Sequence, residues 1–232
     1  MTDVPTPPMP PPPTSPPPPE GSSPPPPPPG SAPVPEVPAG DAYPVRLEFE
    51  HDDVVSRWRP LVNWLLVIPQ FVVVYLLAIV ERALAILSFF FVLFTTRIPD
   101  SIFDFRVMTY RYQWRVMSFA FFMRDEYPPF AFDLGPVGLT SDTARVTIER
   151  PGAMNRWLPL VKWLLAIPHY IVLAVLGLAV AVVWMITFFA VIITGRYPRG
   201  LRDFVVGVAR WALRVNAYVL FMTDAYPPFS LR

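Results

Sequence analysis

The sequence predicts an all-α membrane protein built from two tandem helical hairpins, about four transmembrane helices in all, each hairpin followed by an amphipathic interfacial helix. Three observations lead there. Most of the 33 Pro lie in the first forty or so positions, so the remainder is far more apolar than the whole-chain hydrophobic content of 53% indicates. Two long apolar runs dominate that remainder. Finally, "RWRPLVNWLLVIPQ" (57–70) returns as "RWLPLVKWLLAIPH" (156–169), 99 positions later.

Residues 1–42 hold Pro, Ser, Gly and Ala with little to bury. Pro fixes φ and lacks an N–H, so the expectation is a disordered tail rich in polyproline II. A protein partner that reads polyproline would dock here, but a solvated spacer is the simpler role. The segment has neither the basic nor the apolar region of a secretory signal, so the internal apolar runs are expected to direct insertion. Cys is absent, which excludes disulfides and thiolate metal sites and leaves the compartment open. A net charge of +1 argues against a nucleic-acid partner.

From Arg46 to Asp133, adding 99 gives Arg145 to Arg232 without a gap, and about a third of the positions are identical. This defines unit 1 as 43–134 and unit 2 as 144–232. Each opens with an alternating stretch, "RLEFE" (46–50) or "RVTIE" (145–149), whose period of two predicts a short cytoplasmic strand. The apolar runs follow, 61–94 and 164–193. As one helix, the first would extend roughly 50 Å, well beyond a hydrocarbon core of about 30 Å.

A turn near Glu81–Arg82, and near Gly177 in unit 2, would place those charges outside the bilayer and make each run a hairpin. The alternative is an interfacial helix up to Pro69 followed by one span. The hairpin is preferred because an even number of crossings puts the anchors Arg57, Trp58, Arg97, Arg156, Trp157 and Arg196 on one side. By the positive-inside rule that side is cytoplasmic, giving a multi-pass protein of the plasma (inner) membrane with both termini inside.

After each run a Pro-containing loop leads to an Arg-striped helix, 103–123 and 202–222. At 100° per residue, Asp104, Arg111 and Arg115 share one stripe, as do Asp203, Arg210 and Arg214. Arg111, Arg115, Arg210 and Arg214 are therefore candidate ligands for anionic lipid headgroups or other anions. The simpler role is to anchor the helix by pairing with Asp104, Asp203 or the neighbouring strand. Each unit closes with "DEYPPF" or "DAYPPF", expected to lead the chain back onto its own strand as a small sheet.

No nucleophile set, paired acids, phosphate loop or metal-ligand cluster is legible, so neither enzyme nor cofactor is expected. His51 and His169 stand unmatched. The expected role of His169, like Gln70 at the same place in unit 1, is to help satisfy a carbonyl freed by the preceding Pro.

On "RWLPLVKWLLAIPH", "TGRYPRGLRDFVVGVARW" and "DAYPPF", the chain resembles the bacterial family catalogued as domain of unknown function 4389, in two copies. The resemblance implies an actinobacterial-type integral membrane protein and adds no mechanism. Unit 1 departs from it at Asp100 and Ser101, which replace the Arg-Gly of "YPRG", so a role resting on Arg199 and Gly200 belongs to unit 2 alone. The leading functional expectation is a non-enzymatic scaffold or accessory subunit of the envelope. The alternative is a small transporter or lipid-handling protein, weakened by the scarcity of intramembrane acids. Oligomeric state is not legible.

Overall fold

The computed structural model describes residues 43–50, 54–132 and 144–232; the Pro-rich tail and His51 lie outside the described residues. In chain order the elements are β1 (Val45–Phe49), α1 (Arg59–Thr95), α2 (Asp100–Ala120), β2 (Ala144–Ile148), α3 (Lys162–Thr194) and α4 (Arg199–Val219), with a 3₁₀ turn at Leu158–Leu160 before α3. The protein is mostly helical, and both repeats lie in one unit, Ala42–Arg232.

Each apolar run is one uninterrupted helix, of 37 residues in α1 and 33 in α3, passing through Pro69 and Pro168. The turns expected at Glu81–Arg82 and at Gly177 do not form. Glu81 has no need of water at a turn, because Arg106 of α2 meets its carboxylate at 2.9 Å inside the protein. Gly177 sits within α3 with open space around it and requires no reversal. The reversal falls later, where Thr96 and Gly195 adopt left-handed backbone (φ 58° and 68°) and end each long helix.

Pro99 and Pro198 then start α2 and α4, where a missing N–H costs nothing. Each unit is thus a hairpin whose legs are the apolar helix and the Arg-striped helix. Contacts from Asn63 to Phe119, Gln70 to Tyr112 and Glu81 to Arg106 fix the antiparallel course of α1 and α2.

The expected separate sheet in each unit is also corrected. β1 pairs antiparallel with β2, with Leu47 opposite Val146, so the two units share one sheet. Leu47 and Val146 are equivalent positions of the repeat, and a local two-fold axis therefore passes between them. The segments after "YPP" lie instead along their own helices: Phe132 stacks on Tyr112, and Gln70 Nε2 donates to Pro128 O at 2.7 Å. Asp133 and Leu134 lie outside the described residues.

The same axis relates α1 to α3. Val55 N donates to Gly195 O and Met154 N to Thr96 O, so each long helix begins where the other ends, and the pair is antiparallel. Perpendicular to the axis the structure is layered. Phe103, Val107 and Trp114 on one face of α2 join the sheet side chains Val45, Leu47 and Val146. Tyr112, Val116 and Phe119 on its opposite face pack on Val67 of α1. The strands are exchanged, since α2 lies on β2 and α4 on β1.

The chain leaves α2 and α4 through Phe122 and Phe221, both at positive φ (60° and 66°), where glycine is usual. The strain is offset by rings that reach the other unit: Phe122 stacks on Trp184, and Phe221 meets Phe89.

Because α2 and α4 each pack mainly on the strand of the other unit, residues 144–232 expressed alone should form a two-fold dimer in detergent, with Val146 opposite its own copy. Light scattering reads the mass; a stable folded monomer would contradict the exchanged architecture.

Candidate membrane interface

α1 and α3 are the two described helices long and apolar enough to cross a membrane. Their burial is inverted relative to a soluble helix. The inner stripe of α1, towards α2, includes the buried polar residues Asn63, Gln70, Glu81 and Ser88. The opposite stripe carries Leu65, Val72, Leu76, Ile79, Ile86 and Phe94, all exposed. α3 repeats this with buried Lys162, His169 and Thr187 inside and Leu178, Ile186 and Ile193 outside, Leu178 at 71% exposure. An exposed apolar stripe of this kind is the type of surface that marks a membrane or protein interaction site. On the far side of the layers the outward sheet residues include Arg46, Glu48, Arg145 and Glu149, with Arg46 and Glu149 paired at 3.5 Å.

The six anchor residues are all exposed. Arg57 and Trp58, at the start of α1, share one end with Arg196, which bridges Val54. Arg97, after α1, shares the other end with Arg156 and Trp157, near the bond from Met154 to Thr96. They therefore form two groups at opposite ends of the helix pair. With each apolar run a single helix, an even number of crossings no longer puts these anchors on one side.

The guanidinium groups of the Arg stripes meet protein carbonyls. Arg111 Nε donates to Val146 O at 3.2 Å, and its counterpart Arg210 donates to Leu47 O at 3.0 Å. These oxygens belong to the central sheet pair, so each Arg serves the strand of the other unit. Arg210 Nη1 also reaches Leu231 O, Arg115 Nη1 reaches Ala131 O at 3.4 Å, and Arg214 Nη1 reaches Arg232 O at 2.6 Å. Asp104 and Asp203 pair with Arg150 and Arg202 rather than with the stripe. The geometry is that of the neighbouring strand and the C-terminal segment of each unit.

Between each long helix and its partner lies a seam of buried polar groups, and the two copies fill it differently. In unit 1, Arg106 donates to Glu81 Oε1 at 2.9 Å and to Ser88 Oγ at 3.2 Å, beside Tyr110, whose phenol burial holds well above its ordinary pKa, with the Glu81 carboxylate adding to the rise. In unit 2 the equivalent positions are Val180, Val205, Thr187 and Ala209. Further along, Gln70 accepts from Tyr112 OH, where unit 2 has His169 Nδ1 accepting from Trp211 Nε1 at 3.1 Å. Phe229 stacks on His169 at 4.0 Å. Gln70 and His169 thus tie the long helix to its partner helix, in place of the expected role at a Pro-freed carbonyl.

At the helix starts, Asp125 accepts from Ser56 N and Oγ, and Asp224 accepts from Asn155 N and Lys162 Nζ. The Asp of "DxYPPF" is therefore a clasp on the start of the long helix, a role that sequence reasoning missed. The seam was missed as well. Its signal was present in that Glu81 and Arg106 both become Val in unit 2.

Fold and surface define a mostly helical protein with two candidate membrane helices and a polar interior seam. The chain belongs to the family described as Domain of unknown function (DUF4389), which matches residues 57–131 and again 157–230. No curated protein and no solved structure matches it.

Removing one partner of a buried pair leaves the other charge uncompensated. Glu81→Val alone should destabilise the protein by about 3–5 kcal/mol, and adding Arg106→Val should restore most of that loss, since unit 2 carries Val at both positions. Thermal unfolding in detergent checks this; equal stability of the single and double variants would contradict it. For the stripe, the double variant Arg111→Met with Arg210→Met should lose about 1.5–3 kcal/mol per site. Unchanged melting would show that the caps on Val146 and Leu47 contribute nothing.

Proposed function

We propose that the protein is a non-enzymatic membrane anchor, a scaffold or accessory subunit that holds its Pro-rich N-terminal segment beside the plasma membrane as a tether for other envelope components. The observation that carries this is the opposition of the apolar outer faces of α1 and α3 to the charged outer face of the β1–β2 sheet. One side suits lipid and the other suits water.

The N-terminal segment joins the fold at Tyr43, whose hydroxyl donates to Ala225 O at 2.9 Å while Arg214 sits over its ring. Tyr43 stands two residues before β1. The charged groups of the stripe and of the helix seams support a scaffold rather than a transporter or lipid carrier, because they are held against other segments of the protein. The stripe Arg residues meet carbonyls, Glu81 meets Arg106, and Lys162 meets Asp224. In this reading both termini are cytoplasmic, which exposed Arg57, Arg97, Arg156 and Arg196 support because they suit the anionic cytoplasmic leaflet.

Affinity purification from native membranes should capture a protein partner with the 232-residue chain and lose it when residues 1–42 are removed, while both forms remain in carbonate-washed membranes. Release of both forms from the membrane would contradict the anchor. A partner retained without residues 1–42 would contradict the tether.

A further inference from the structure

We infer that the protein sits in one leaflet of the bilayer, with α1 and α3 lying in the membrane plane and the local two-fold axis along the membrane normal. This rests on the membrane reading above and gives it a geometry. The occupant of the apolar face is then the acyl region of a single phospholipid leaflet, and no helix crosses.

The layering sets the orientation. Sheet, α2 with α4, and α1 with α3 succeed one another along the axis, and the exposed apolar stripe of each long helix points away from its partner helix. A membrane perpendicular to the axis meets both apolar stripes together and leaves Arg46, Glu48, Arg145 and Glu149 in water. If the long helices crossed the bilayer, the axis would lie within it. The sheet, centred on the axis at Leu47 and Val146, would then stand at mid-depth with its charged face towards lipid, where charge is least tolerated.

The length of α1 independently disfavours a crossing. The exposed stripe of α1 runs from Leu61 to Phe94, roughly 50 Å at about 1.5 Å per residue. Fitting that into a core of about 30 Å requires a tilt of more than about 50°, beyond the 0–40° that spanning helices adopt.

The position of Arg82 also disfavours a crossing. The residue is exposed near the middle of α1, flanked by Ile79 and Ile86. In a crossing helix it would face lipid at mid-depth, whereas in a helix lying at the interface its long side chain reaches the headgroups.

Because the chain has no Cys, single-cysteine variants test this directly. Arg57→Cys and Arg97→Cys mark the two ends of α1, Glu48→Cys the outer sheet face, and Ile79→Cys the apolar face. Each is treated with a membrane-impermeant maleimide from either side, in spheroplasts and in inverted vesicles. The expected result is that positions 57, 97 and 48 react from one and the same side, and that position 79 is protected. Reaction of 57 and 97 from opposite sides, with 48 protected, would overturn the one-leaflet geometry and leave the membrane anchor standing. Recovery of the protein in the soluble fraction with position 79 reactive would overturn the membrane reading itself.

Discussion

A two-stranded sheet leaves a row of unpaired carbonyls on each outer edge and is marginal on its own. Here the central edge carbonyls, Val146 O and Leu47 O, are met by Arg111 and Arg210, each projecting from the helix of the opposite unit. Guanidinium donors take the place of a third and a fourth strand, and a charged donor makes the stronger kind of hydrogen bond. Most other features follow from this exchange. It holds α2 and α4 against the sheet and fixes the two-fold axis at Leu47 and Val146. It also leaves α1 and α3 with one face covered by their partner helices and the other uncovered. Phe122 and Phe221 hold strained backbone at the same junction, where their rings tie each hairpin to the other long helix.

The duplicated frame tolerates different interiors as long as contacts change in pairs. Gln70 with Tyr112 becomes His169 with Trp211, and Glu81 with Arg106 becomes Val180 with Val205. A buried polar group left alone is costly, so a single replacement is penalised where a matched one is nearly neutral. The clasp at the helix start is kept in both copies through Asp125 and Asp224, although its other members differ.

Local features of this fold were legible in the sequence. The 99-residue offset located both units, the period of two located β1 and β2, and the limits of the apolar runs and Arg stripes fall within a few residues of the ends of α1 to α4, although each run was expected to be two helices. Partnerships across elements were not legible. Glu81 read as a charge in need of water because nothing local shows that Arg106, 25 positions on, faces it from the next helix. That missing contact produced the hairpin expectation and the count of four spans. The Arg stripe was recognised by periodicity, yet the strand carbonyls it meets belong to the other unit, which periodicity cannot show. For the candidate interface, composition identified the apolar runs, while the face that stays exposed became visible only once the seam residues were seen to point inward.

The one-leaflet geometry also restores the sense of the charge pattern. Arg57, Arg97, Arg156 and Arg196 stand at opposite ends of an antiparallel helix pair, so crossing helices would divide them between the two sides; helices in the plane keep them on one. All four helices run across the two-fold axis, so the central claim has an unmixed optical signature. Oriented circular dichroism of the protein in aligned phospholipid bilayers, with light along the membrane normal, tests it most directly. Helices in the plane retain the 208 nm band at full strength, which is the predicted result. Loss of that band, the mark of helices along the normal, would contradict the account.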